Sequence, residues 1–148
     1  MFKSFLLLLL LPSLSFASVS QSTAIKIYNR ILTTNRIITN APRLIFVNDS
    51  SVNAYNSGKV IGINTGMLQS VRNESELAWV MGHELGHYYL HHRSSNPSNE
   101  YAADKAGVGI ARRAGYNMCS GVKLLLRFNK NGSKTHPPAM DRYNRVKC

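Results

Sequence analysis

The segment His83-Glu84-Leu85-Gly86-His87 constrains the fold of this chain most, because its two histidines can bind one metal ion together when the segment is helical. Residues four apart lie one helical turn above one another, so both imidazoles can point at one metal ion about 2 Å from each. Glu84 then lies beside the metal, where a general base takes a proton from a metal-bound water. Such pairs also occur on solvated helix faces, but the apolar Leu85 argues against that. The segment predicts a zinc-binding helix.

The predicted zinc helix has a recognisable start. Asn73 with Glu76 three residues later is a capping box, and apolar residues at helical spacing follow it as far as about Arg93. His91 falls on the same stripe as the histidine pair. Because it lies two turns away from the first histidine, we interpret it as a favourable charge at the helix C-terminus rather than a metal ligand.

A catalytic zinc site needs a third protein ligand. Two of the four glutamates occupy the first turn of the same helix and Glu84 is the base, so Glu100 remains. Asn96-Pro97 predicts the start of a second helix that folds back and turns Glu100 towards the histidines. Asp104, one turn further, is placed to hydrogen-bond the far nitrogen of a ligating imidazole. The alternative is that Glu100 and Asp104 are ordinary charges on a helix surface.

The rest of the chain predicts an α+β fold that is mainly helical. Short apolar or alternating runs separated by turn residues predict a small antiparallel three-stranded sheet packed beside the zinc helix. These strands span residues 44–47, 52–55 and 60–63. Helical spacing and caps predict helices at residues 23–38, 73–93, 96–113, 117–130 and 137–146.

The first residues predict export. Lys3 precedes an apolar run, and Ser15-Phe16-Ala17 offers the small residues that a signal peptidase reads. We expect a signal peptide at 1–17, a single domain at 18–148 without a transmembrane segment, and a periplasmic or secreted location. A retained membrane anchor is the alternative, against which the short run and Pro12 argue.

Both cysteines, Cys119 and Cys148, lie in the part expected to be exported. Thiol pairs tend to be joined in oxidising compartments, so we expect a disulfide between them. Two separate thiols, or a bond from Cys148 to another chain, are the alternatives.

The net charge of +11 predicts attraction to anionic surfaces. In an exported protein these are head groups, anionic envelope polymers or acidic substrates. No basic run is longer than Arg112-Arg113, so a nucleic-acid partner is not expected.

Together these residues resemble the HtpX-like and CAAX-prenyl-protease-like gluzincin zinc metallopeptidases of peptidase family M48. The resemblance rests on the segments 83–87 and 100–104, on 52–55 followed by 60–68, and on Thr135-His136-Pro137-Pro138 with Arg142. Family members commonly carry a longer insert than residues 88–99 between the second histidine and the glutamate. We therefore expect a compact exported member with an open cleft.

The resemblance implies a zincin-like fold and particular roles. One Zn²⁺ per chain would be bound by His83, His87 and Glu100, with Glu84 as the base and Asp104 orienting a ligand.

Further residues would line the cleft. His136 or Arg142 would lie there and help the tetrahedral intermediate, and the strand at Asn53 and Ala54 would hold the substrate backbone by strand addition.

The predicted function is therefore that of a zinc endopeptidase acting on unfolded or envelope-associated proteins. Two alternatives stay open. One is a basic binding module of the envelope whose metal only stabilises a helical hairpin, and the other is a chaperone-like member that cleaves poorly.

Overall fold

The computed structural model describes residues 18–37, 39–128 and 130–148, so the predicted signal peptide lies outside the described residues. The elements are α1 (Gln21–Thr34), β1 (Arg43–Val47), β2 (Ala54–Asn56), β3 (Val60–Asn64), α2 (Thr65–Ser70), α3 (Glu74–Tyr89), α4 (Pro97–Arg113), α5 (Met118–Gly121), a 3-10 helix (Val122–Arg127) and α6 (Ala139–Val146). The predicted mainly helical α+β class is confirmed.

The sheet has the strand order β1-β3-β2. β2 pairs with β3 in antiparallel fashion, but β1 pairs with β3 in parallel, so the prediction of an all-antiparallel sheet is wrong in this respect. The cause lies in the turn after β1, where the Asp49 carbonyl accepts hydrogen bonds from Thr65 and Gly66 at the far end of β3. β1 therefore runs in the same direction as β3. The chain reverses after the turn, and β2 pairs antiparallel with the other edge of β3.

Helix α3 lies at the centre of the molecule. Every residue from Glu76 to Gly86 is buried, and α3 packs against α1, α4, α5 and β2. A helix that is buried all round needs apolar side chains on every face, and Leu77, Met81 and Leu85 are fully covered. Because α3 is enclosed, the histidines it carries are fixed by the core itself.

Three predicted helices differ from the structure, and one helix was not predicted. α1 spans Gln21–Thr34 rather than 23–38. α3 ends at Tyr89 rather than near Arg93, and the helix predicted at 117–130 is instead α5 followed by the 3-10 helix. The six-residue α2 was not predicted, because a segment of this length shows too little helical periodicity to be recognised.

The predicted disulfide is present. Cys119 in α5 is joined to Cys148 beyond α6, with Cα atoms 5.4 Å apart and a sequence separation of 29. This bond attaches the end of α6 to the body of the protein. Within the described part of the chain, no helix has the length and apolar character needed to cross a membrane.

Candidate metal centre and active site

The two helices of the site, α3 and α4, meet backbone to backbone. A Cβ atom at Gly107 would lie 2.7 Å from the backbone nitrogen of His83, and one at Gly82 would lie 2.7 Å from the Gly107 carbonyl oxygen. Only glycine permits so close an approach. The approach brings the first turn of α4, with Glu100, against the histidines of α3.

His83, His87 and Glu100 offer ligand atoms that all lie within 4.8 Å of one another. The two histidine Nε2 atoms are 3.1 Å apart, and they lie 3.6 and 3.4 Å from Oε2 and Oε1 of Glu100 respectively. Ligands held about 2.0–2.1 Å from a tetrahedral zinc are about 3.3 Å from each other, which these separations approach. Glu100 Oε2 is moreover buried with no hydrogen-bond partner among the described residues, as suits a ligand atom. The residues therefore fit a zinc ion.

An ion pair between Asp104 and Arg142 supports the imidazole of the first histidine, His83, at its Nδ1 atom. His83 Nδ1 lies 2.9 Å from Asp104 Oδ1, so its Nε2 is left for the metal. Arg142 donates from Nε and Nη2 to both carboxylate oxygens of Asp104, at 2.8 and 2.6 Å. Burial raises the pKa of Asp104, but hydrogen bonds from Arg142 and His83 outweigh it and hold the pKa below its usual range. Asp104 is thus an anion that fixes the His83 ring.

The second histidine is supported by another imidazole. His87 Nδ1 lies 3.0 Å from His92 Nδ1. Burial and then the proximity of His87 lower the pKa of His92, so a neutral His92 can accept the Nδ1 proton of His87. This leaves His87 Nε2 as the ligand atom.

The end of α3 brings His92 to this position. Leu90 is the helix C-cap, and His91 takes a left-handed conformation with φ of 54°. The backbone N–H of His92 bonds the His87 carbonyl, and that of His91 bonds Tyr88, which together form a Schellman motif. The turn folds His92 back onto the helix. His92 was not predicted as a site residue, because the residue types give no indication of the left-handed turn at His91 that brings it to His87.

Glu84 lies beside the metal centre and is almost fully buried. Burial raises the pKa of its carboxyl above the ordinary value, although the charges of His83 and His87 act in the opposite direction. A raised pKa suits a general base that must later return the proton.

Glu100 has the opposite electrostatic character. Burial raises its pKa, but His87, His83, Ser95 and Arg142 together lower it to about 2. Ser95 donates a hydrogen bond of 2.6 Å to Oε1. The carboxylate therefore stays charged, as a ligand must. Ser95 was not among the residues predicted for the site.

The remaining predicted residues surround the same cleft. His136 Nε2 lies 3.7 Å from Glu100 Oε2, while its Nδ1 is 2.9 Å from the Thr135 hydroxyl and its side chain is 52% exposed. Asn53 and Ala54 also line the cleft. The structure thus brings together all the residues that the sequence analysis selected for the site.

Two histidines and a glutamate on a helical hairpin, with a second glutamate next to the first histidine, define a metallopeptidase type of centre. Residues 21–97, just over half of the chain, match the sequence model of peptidase family M48, and the chain belongs to this family. Its members are zinc metallopeptidases. The matched residues include both histidines and end before Glu100. A comparison with curated proteins gave no significant match.

Proposed function

We propose that this protein is a zinc-dependent endopeptidase that cleaves unfolded or envelope-associated proteins, with Glu84 as the general base. The observation that carries this proposal is the meeting of three ligand atoms within 4.8 Å, next to a buried carboxylate with a raised pKa. Family membership supports the same chemistry. One domain, from residue 18 to residue 148, would contain the whole site.

His83, His87 and Glu100 would hold one zinc ion, which when bound lowers the pKa of a coordinated water and polarises the scissile carbonyl. Glu84 takes the proton from the water and passes it to the leaving amine. Asp104, held by Arg142, keeps the His83 ring in the tautomer that binds metal. His136 donates a hydrogen bond to the oxygen on which negative charge develops.

The substrate backbone would lie along β2. This strand is at an edge of the sheet, with β3 on one side and the cleft on the other. Its open side offers backbone groups that an extended peptide can pair with, next to Asn53 and Ala54. The scissile bond is then presented to Glu84 from the opposite wall.

We also propose that the protein acts outside the cytoplasm. The Cys119–Cys148 disulfide supports an oxidising compartment. The net charge of +11 supports an encounter with anionic envelope surfaces.

Glu84→Gln tests the mechanism, and Glu74→Gln, an exposed position on the same helix, is its matched control. We expect Glu84→Gln to keep one zinc per chain by mass spectrometry and to lose on the order of 10²–10⁴-fold of its casein hydrolysis. The control should keep its zinc and its casein hydrolysis. A chelator should abolish the activity of the unmodified protein.

Hydrolysis at the normal rate by Glu84→Gln would contradict the mechanism. A zinc-loaded protein that suppresses aggregation of unfolded casein without cleaving it would instead favour the chaperone-like alternative.

A further inference from the structure

A second cavity opens beside the cleft over the metal centre. The cleft measures about 310 Å³ and its neighbour, which we call the side pocket, about 260 Å³. The two share five wall residues: Asn53, Ala54, His83, Glu84 and His136. A peptide along β2 can therefore place a side chain in the side pocket while its backbone stays beside Glu84.

Beyond the shared wall, the side pocket is lined mainly by apolar side chains. These are Met67, Trp79, Val80, Leu125, Phe128 and Ala139. Two charged groups also reach it. Arg142 is already bound to Asp104 through two nitrogens, and Glu84 is the carboxylate needed for proton transfer. Trp79 Nε1 is a buried donor with no hydrogen-bond partner among the described residues, but it carries no charge. A charged substrate side chain would therefore lose its hydration here without gaining an opposite charge that is not already engaged.

The size of the side pocket limits which substrate side chains can fill it. At about 260 Å³ it is smaller than the sites of about 300–1,000 Å³ that enclose whole drug-sized ligands. It has room for one large side chain. Leu, Met or Phe would bury its apolar surface against these walls, whereas Ala would leave most of the pocket unfilled.

We propose that the side pocket is a specificity site, and that the protein prefers peptide bonds flanked by a large apolar residue. This inference rests on the proposed peptidase function. The preference follows from the contact between the side pocket and Glu84, because a side chain bound there fixes the neighbouring peptide bond at the base.

The first experiment uses the unmodified zinc-loaded protein and a set of quenched fluorescent peptides. One position next to the scissile bond varies among Phe, Leu, Ala, Asp and Lys. We expect kcat/KM for Phe and Leu to exceed that for Ala on the order of 10- to 100-fold, with Asp and Lys lowest. Equal kcat/KM for all peptides would overturn the inference but leave the peptidase function intact. Cleavage of none of the peptides, nor of casein, would instead refute the proposed function.

Two variants test whether the preference for large apolar residues arises in the side pocket. Ala139→Leu adds volume inside it and should lower kcat/KM for the Phe peptide more than for the Ala peptide, on the order of 10-fold. Phe128→Ala widens the pocket and should weaken the preference for large residues. Met140→Leu, at an exposed neighbouring position, is the control and should keep the original preference. An unchanged Phe-to-Ala ratio in both folded pocket variants would also overturn the inference.

Discussion

The metal centre and the wall that faces it are built in different ways. The centre lies on two long helices packed backbone to backbone, and Glu100 and Asp104 are each only 1% exposed. The facing wall comes from residues 119–128 and 130–148, which form short helical pieces and a turn, and its His136 side chain is 52% exposed. The ligands thus derive their positions from two long packed helices. The wall has core residues of its own, such as Leu124 and Leu125, but it contains no long helix and is also held by a cross-link and ion pairs.

Among the described residues, the attachments of the facing wall include the disulfide and two ion pairs, Arg127 with Glu76 and Arg142 with Asp104. Leu125, Phe128, His136 and Ala139 of the side pocket all lie between Cys119 and Cys148. Arg142 ties the same segment to Asp104 and thereby to His83. Under the proposed function, the helix pair would supply the chemistry, and the tethered segment would complete the pocket that selects the substrate.

The largest effect is expected from Gly107→Ala, with Gly109→Ala as its control on the same helix. The new Cβ at Gly107 meets the backbone of His83, whereas one at Gly109 meets only the end of the Arg113 side chain at 3.4 Å. Overpacking should cost Gly107→Ala about 1–3 kcal/mol of stability. Displacement of α4 by even about 1 Å should cost on the order of 100-fold in kcat/KM.

Thermal unfolding, zinc content and peptide hydrolysis would measure these effects. Gly109→Ala should keep full activity and gain slightly in stability from its helix propensity. If Gly107→Ala and Gly109→Ala had the same stability, zinc content and activity, the close helix contact would not position the ligands.

A smaller effect on activity, although a larger one on stability, is expected when Cys119 and Cys148 are both replaced by serine. Loss of the cross-link should lower the free energy of unfolding by roughly 3–4 kcal/mol in the loop-entropy model. Because the zinc ligands lie outside the closed loop, the folded variant should still bind zinc while its preference for Phe over Ala peptides falls. Denaturant unfolding and the peptide series measure the two effects separately. Weaker zinc binding together with an unchanged Phe-to-Ala ratio of kcat/KM would contradict this assignment of the two regions.

The smallest effect is expected from His92→Ala. Removal of the group that orients a ligating histidine typically costs 10–100-fold in metal affinity, and we expect about 10-fold because His87 keeps two other ligands beside it. Competition with a zinc chelator measures the affinity without any assay of activity. His91→Gly relieves the left-handed backbone and should leave the zinc affinity unchanged. Unaltered affinity in His92→Ala would contradict an orienting role.

The sequence predicted the local parts of the molecule well. The caps at Asn73 and Asn96 lie where expected, and each accepts a hydrogen bond from the backbone three residues on. The histidine spacing and the scarcity of glutamates led to Glu100. These features depend on neighbours in the chain, so a helical period and a count of residue types were sufficient.

Other features depend on contacts distant in sequence and were not predictable. The parallel pairing of β1 with β3 follows from bonds between Asp49 and α2, and the roles of Gly82 and Gly107 appear only when the helices meet. His92 reaches His87 because of the backbone turn at His91, which is rare for a residue other than glycine. The residue types gave no indication of that turn.

The open side of β2 has a consequence for which proteins could be attacked. A chain that pairs with this strand must arrive with its own backbone N–H and C=O groups free. A natively folded protein has already used these groups in its own helices and sheets. Because β2 spans only Ala54–Asn56, it offers few backbone hydrogen bonds to a segment that is not already extended. If the proposed function holds, cleavage would depend on the conformational state of the target as well as on its sequence, so that damaged or unassembled proteins would be degraded while their folded counterparts in the same compartment would be spared.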